Sequence, residues 1–455
     1  MKNRYQIDIH TTAFADSRMH NETVKNLWKG FTLTCSTLAL EKGAENTFVL
    51  GNCQIPILPE GKEYALTVTA TGAAVIGRDY GGLMRGYIAL LMKIGYTNLD
   101  AGQEDLFLES YYEESHYKLR NRMIHFCVFP ETELHFLRQM LRLCGVLQFT
   151  HVVIEFWGML QYDTLRELAW PQAYSKTQIR DVIREIREFG MEPVPMLNSL
   201  GHAAMSRAIL GKHTILDQNP RLQTLFTPDG WAWDIYSPRV RKLLKDMRAE
   251  LYDLFGPGEF IHVGCDEADY YILNEETRKD IGNYLHDLTT EVVSEGRRPL
   301  LWMDMLLEEV PESSYRYFGT ATAEEVVERR SKLAPETVCV DWQYVPQNQP
   351  VESLTSLKDC GHDVIGAPWY NEVGYKNMVD TLEMYNMYGV LMTTWHTLCN
   401  ETPALISFAR YLNITLFPWE SSCKPFYVAS SILRRVSFDG CNYEQTGWKQ
   451  RQIEV

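Results

Sequence analysis

The sequence predicts an α/β fold, a (β/α)8 TIM barrel preceded by a small α/β domain. Three observations predict it. From Lys118 onward a short apolar strand, a loop and an amphipathic helix succeed one another, and eight strands of this kind can be counted. The chain has 455 residues, more than one ordinary domain and enough for a barrel of ~250 residues plus a smaller unit. Hydrophobic residues make up 45% of it, so a large core can be buried. The two units are placed at 1–115 and 116–455.

In the first unit, Tyr5 to His10 reads as a strand, Met19 to Leu38 is mixed, Thr47 to Leu50 is strand-like, and Tyr64 to Thr69 alternates as a strand should. Gly81 to Ile94 has helical apolar spacing behind two glycines. The barrel strands are expected at Leu119–Phe126, His151–Phe156, Pro193–Leu197, Phe260–Val263, Pro299–Met303, Thr337–Trp342, Asp363–Ala367 and Gly389–Thr394. Between them lie expected helices at Glu131–Cys144, Ser175–Phe189, Pro238–Leu254, Ile272–Glu295, Ala323–Leu333 and Tyr375–Met387. Pro403 to Arg435 reads as the closing helix with extra elements. No Gly-x-Gly-x-x-Gly follows a strand, so a dinucleotide site is not expected.

A formal charge of −15 repels phosphate backbones and anionic membrane surfaces, which argues against nucleic acid and membrane as partners. The N-terminus MKNRYQIDIH has no apolar h-region, and no run approaches the ~18 apolar residues that span a bilayer. A cytoplasmic protein is expected. Its ten cysteines are scattered without a Cys-x-x-Cys pair, which fits reduced, packed thiols better than a disulfide framework or a zinc site. No metal and no cofactor are expected.

The chemistry centres on Phe260 to Tyr270, FIHVGCDEADY. A short buried strand ends at two small residues, Gly264 and Cys265, and delivers Asp266 and Glu267 to its C-terminal mouth, where a barrel of parallel strands carries its catalytic loops. Adjacent carboxylates repel, which favours one that stays charged and one that holds a proton. The same pair also suits the first turn of a helix.

Four late strands end in tryptophan: Trp302, Trp342 (followed by Tyr344), Trp369 and Trp395. Flat indole walls suit the C–H faces of a sugar or a methyl group, although tryptophans are also common core residues. After strand three comes Gly201-His202, and strand one opens with Arg120 and Arg122, two apart and thus on one face.

The stretch His262, Gly264, Asp266, Glu267 resembles the His-x-Gly-x-Asp-Glu signature of glycoside hydrolase family 20, the β-N-acetylhexosaminidases. Cys265 before the pair and a tyrosine shortly after it look most like the branch containing hexosaminidase D. The first unit is similar to the small domain that precedes the barrel in many members. The resemblance implies an exo-acting retaining enzyme that releases terminal β-linked GlcNAc or GalNAc from a small glycoside or oligosaccharide. The 2-acetamido oxygen of the substrate would attack the anomeric carbon and form an oxazolinium ion. Asp266 would orient the acetamido N–H, and Glu267 would act as acid and then base. Trp302, Trp342 and Trp395 would enclose the acetamido methyl, with Trp369 beside them. Tyr344 would donate to the acetamido oxygen, His202 would contact sugar or the acid, and Arg120 would hold sugar hydroxyls. For the two arginines, salt bridges at the bottom rim are the competing reading.

Three positions depart from the family pattern: His125, Gly158 and Thr397 stand where members usually carry carboxylates. Glu155 is a possible replacement near the acid. The departures leave two rival readings, a sugar-binding barrel without activity and a conventional retaining glycosidase pairing Glu267 with Glu372.

Overall fold

The computed structural model describes residues 4–8, 10–33, 38–98, 106–204, 215–310, 317–413 and 423–438. Its centre is a closed barrel of eight parallel strands: Asn121–Cys127, His151–Glu155, Glu192–Met196, Phe260–Gly264, Arg298–Trp302, Val338–Trp342, Asp363–Ala367 and Gly389–Met392. Asn121 pairs with Gly389 to close the ring. Alternate side chains point inward, as a strand's period of two requires, and fill the lumen with Met123, Val153, Val194, Phe260, Leu300, Val338, Ile365 and Leu391. Toward the C-terminal mouth the inward rows continue through Trp302 on strand five and through Val340 to Trp342 on strand six, so the tryptophans carry the core rows up to the rim.

Helices cover the barrel, and several start as their sequences require. Ser175 caps Lys176–Glu188 in a capping box with Gln178, and Ser237 caps Pro238–Phe255 with proline at the first helical position. The expected helix Ile272–Glu295 is instead three pieces, Asp269–Ile272, Glu275–Arg278 and Ile281–Ser294. The Asn274 side chain accepts from Glu276 N–H and starts a new turn, and Arg278 Nη1 donates to the Ile272 carbonyl at 3.0 Å across the break. The expected strand Gly389–Thr394 stops at Met392, because Thr393 N–H turns to the Pro368 carbonyl and the Thr394 hydroxyl to the His125 carbonyl. The tail forms two helices, Thr402–Leu412 and Pro425–Arg435, with 414–422 outside the described residues.

Ahead of the barrel, a sheet runs in spatial order Ala39–Lys42, Thr12–Ala15, Thr47–Gly51, Gly72–Gly77, Tyr64–Thr69 and Tyr111–Glu114. Helix Tyr80–Thr97, capped by Asp79, packs on it. A separate pair joins Arg4–Gln6 to Phe107–Glu109. This sheet ends at Glu114 and the barrel begins at Asn121. Among the described residues no helix is long and apolar enough to cross a membrane.

Candidate active site

Strand four delivers the carboxylates through a strained turn. Its register against strand five shifts between His262 and Gly264, and Gly264, Cys265 and Glu267 have φ of 66°, 71° and 46°. Nine described non-glycine residues have positive φ, and five of them, Trp157, His202, Cys265, Glu267 and Trp395, lie on loops leaving the barrel's C-terminal mouth. Each such residue costs about 1–3 kcal/mol, which surrounding contacts must hold in place. His262 supports the turn from below: its Nδ1 accepts from Gly264 N–H, and its ring lies 4.2 Å from that of Trp302. Burial pushes its pKa down to about 3, so this imidazole is neutral.

Asp266 is buried, whereas the Glu267 side chain is 36% exposed and reaches solvent. His202 Nε2 stands 3.2 Å from Asp266 Oδ2 and 3.1 Å from Glu267 Oε2, bridging the two carboxylates. The other Asp266 oxygen, Oδ1, is buried and accepts no hydrogen bond among the described residues. His202 is itself held between Trp231, with ring centres 4.4 Å apart, and Trp157, at 6.1 Å. The glycine before it is needed because a Cβ at Gly201 would lie 2.0 Å from the Asp266 carbonyl oxygen.

A third carboxylate completes the cluster. Asp304, two residues beyond strand five, is buried, and its Oδ2 accepts from the backbone N–H of Glu267 at 2.9 Å. Burial first, and then the charge of Asp266, push its pKa well above the ordinary carboxylate range.

Beside the acids the aromatic residues form a wall and a floor. Trp302 is fully buried at the floor, with Trp395 over it at 6.1 Å. Trp342 lies 5.2 Å from Tyr344, which lies 5.3 Å from Trp369. Trp395 Nε1 donates to the Tyr344 hydroxyl at 2.7 Å. Burial raises the Tyr344 pKa well above that of a free phenol, so Tyr344 keeps its proton. Trp369 Nε1 donates at 2.6 Å to Glu401, a buried carboxylate whose pKa burial raises to about 8.

The model of glycosyl hydrolase family 20, catalytic domain, matches residues 155–407, which run from the last residue of strand two and take in the carboxylate cluster and all four tryptophans. The chain belongs to glycosyl hydrolase family 20. The barrel is shared with solved family 20 structures. The Flavobacterium johnsoniae chitobiase is 14% identical, with a TM-score of 0.63 over 96% of this chain and 70% of that one. A Streptomyces plicatus β-hexosaminidase mutant in complex with its product GlcNAc is 13% identical, with a TM-score of 0.64 over 95% and 92%. The Vibrio harveyi exo β-N-acetylglucosaminidase in complex with N-acetylglucosamine is 14% identical, with a TM-score of 0.61 over 96% and 75%.

Within this family 20 chain, Asp266, Glu267, His202, Trp302, Trp342, Tyr344, Trp369 and Trp395 are brought to one mouth of the barrel, and Arg120 is not. Arg120 is exposed and precedes strand one, at the end opposite the carboxylates, so it is too far along the barrel to hold a sugar there. Arg122 is buried and pairs with Glu63 of the N-terminal sheet region at 3.0 Å. The bottom-rim salt bridge is therefore the correct reading of Arg122.

Two of the three departures have physical reasons. A Cβ at Gly158 would meet Trp170 Cδ1 at 2.4 Å, so no carboxylate fits there. Glu155 accepts from Asn198 Nδ2 at 2.5 Å and lies 3.2 Å from His125 Nε2, a buried polar layer beneath the mouth. The side chain of Thr397 lies outside the described residues. Glu372 is exposed and paired with Lys376 one helical turn away, as a surface residue would be.

Asp304 and Trp231 were not among the expected site residues. Asp304 had a signal, an aspartate two residues beyond a strand-ending tryptophan. Trp231 lies in the long connection after strand three, where no periodicity marks it.

Proposed function

We propose that the chain is an exo-acting retaining β-N-acetylhexosaminidase that releases terminal β-linked GlcNAc, GalNAc or both by substrate-assisted catalysis. One observation carries this reading: buried Asp266, bonded to His202 through one oxygen and with the other unbonded among the described residues, adjoins a half-exposed Glu267. Asp266 Oδ1 supplies an acceptor for the acetamido N–H. The acetamido oxygen bonds to the anomeric carbon as the bond to the leaving oxygen breaks, and Glu267 gives its proton to that oxygen. Asp266 stabilises the positive charge that develops on the oxazolinium ion. Water then adds at the anomeric carbon, Glu267 takes its proton, and the ring reopens with configuration retained. Trp302, Trp342 and Trp395 enclose the acetamido group, Tyr344 donates to its oxygen, and Trp369 extends the wall. The product GlcNAc in the Streptomyces plicatus complex and the N-acetylglucosamine in the Vibrio harveyi complex support the N-acetylhexosamine class.

Cys265, Tyr270 and Thr397 support a place in the branch containing hexosaminidase D. The end of the N-terminal sheet at Glu114 and the barrel's start at Asn121 support domains at 1–115 and 116–455. A cytoplasmic location is supported by free thiols at Cys53, Cys127, Cys144, Cys265, Cys339, Cys360 and Cys423.

The test is hydrolysis of aryl N-acetyl-β-glucosaminide and N-acetyl-β-galactosaminide, beside the same glycosides lacking the acetamido group, by wild type and Glu267→Gln. Turnover should require the acetamido group and fall at least ~100-fold in the variant. Equal turnover of the sugars without it would refute substrate assistance.

A further inference from the structure

The peptide of Glu267 is held from both sides. Its N–H donates to Asp304 Oδ2 at 2.9 Å, and its carbonyl accepts from Trp231 Nε1 at 2.6 Å. The Asp269 N–H donates to the same carbonyl at 2.9 Å. Both outside partners are themselves anchored. Asp304 begins a 3-10 turn, and its carbonyl accepts from Thr320 N–H at 2.9 Å and from the Thr320 hydroxyl at 3.2 Å. Trp231 N–H donates to Asp229 Oδ1 at 3.1 Å, and its carbonyl accepts from Ala203 N–H at 2.8 Å.

We infer that Asp304 and Trp231 are positioning residues forming a two-sided clamp on the Glu267 backbone, which holds the acid in its left-handed conformation and aims its carboxyl at the leaving-group oxygen. The inference rests on the glycosidase reading above. At φ 46° a glutamate relaxes toward ordinary backbone unless both peptide groups are tied down, and relaxation would swing its side chain away from the site. The raised proton affinity of Asp304 fits this role, because a neutral carboxyl still accepts through Oδ2 while adding no charge beside Asp266.

A misaimed acid harms the reaction in proportion to how much the leaving group needs a proton. The experiment therefore measures kcat and KM on phenyl and 2,4-dinitrophenyl N-acetyl-β-glucosaminides for wild type, Asp304→Ala, Asp304→Asn and Trp231→Phe. Phenylalanine keeps an aromatic ring beside His202 and removes the N–H donor together with part of the indole. In Asp304→Ala and Trp231→Phe, kcat on the phenyl glycoside should fall at least ~30-fold and on the dinitrophenyl glycoside less than ~3-fold, with KM within ~3-fold. Asp304→Asn keeps an acceptor and should hold the ratio between the two substrates near that of wild type. Should Asp304→Ala melt below the assay temperature, Trp231→Phe and Asp304→Asn decide. Equal losses on both substrates, no loss, or the signature in only one of the two clamp variants overturns the clamp alone. A wild type inert on both glycosides overturns the glycosidase reading and the clamp together.

Discussion

Two buried charge clusters sit at opposite ends of the same barrel, and they are built on opposite rules. At the bottom, Glu63 is enclosed by Arg85 at 2.5 Å and by Arg122 at 3.0 Å, and Arg122 also lies 3.6 Å from the centre of the Tyr117 ring. Burial opposes its ionisation, yet the two arginines overcome that and bring its pKa down to about 2. At the mouth, Asp266 and Glu267 share the imidazole of His202, while Asp304 accepts from the Glu267 N–H and is pushed the other way. Excess cation makes a joint between the N-terminal sheet and the barrel. Excess carboxylate leaves a proton to move and an acceptor to offer, which is what a glycosidase needs.

The largest effect expected from this contrast is at the bottom. Glu63→Gln leaves Arg85 and Arg122 buried without their counter-charge and should cost roughly 3–5 kcal/mol of stability, measured by denaturant unfolding. The wild-type carboxyl titrates lower in the folded state than its unfolded value of about 4.3. Its contribution is thus fully present above that pH and lost as pH falls toward 2. The gap between wild type and variant should accordingly close in acid. A variant as stable as wild type at pH 7 would dissolve the contrast.

Glu401 sharpens it from the other end. It is a mouth carboxylate without a cation among the described residues, raised to about 8 by burial, with Trp369 Nε1 as its donor. Between the unfolded value near 4.3 and about 8, the folded state binds a proton that the unfolded state does not, so this group makes stability fall as pH rises through that window. Glu401→Gln keeps an acceptor for Trp369 and removes the titration. Its melting temperature should match wild type near pH 4.5 and exceed it by roughly 2–5 °C near pH 8. A gap independent of pH would mean that Glu401 is compensated after all.

How much of this was legible in the sequence follows from periodicity. Barrel strands buried on both faces make continuous apolar runs, and the expected spans fall within two residues of the observed ones at every start and end. The short edge strand Ala39–Lys42 is largely exposed and carries no such run, so it gave no signal. At the site, residues adjoining a strand were readable because strand parity sets their direction. Asp304 and Trp231 act through backbone atoms of Glu267, and a contact to a neighbour's peptide leaves no mark on residue spacing. Arg120 erred for a related reason: parity fixes the face of a strand but not the height along it.

The height of Arg120 is open to a direct and quiet test. Its side chain is exposed one residue before strand one, while Asp266 lies two residues beyond the end of strand four. Strand one is 7 residues long, which at roughly 3.3 Å per residue separates its two ends by about 20 Å along the chain. An arginine side chain cannot reach a sugar across that span. Arg120→Ala should therefore leave kcat/KM on an aryl N-acetyl-hexosaminide within about twofold of wild type, as surface substitutions usually do. A loss beyond tenfold, carried in KM, would put a substrate hydroxyl within reach of the bottom rim and would undo the division of labour between the two ends.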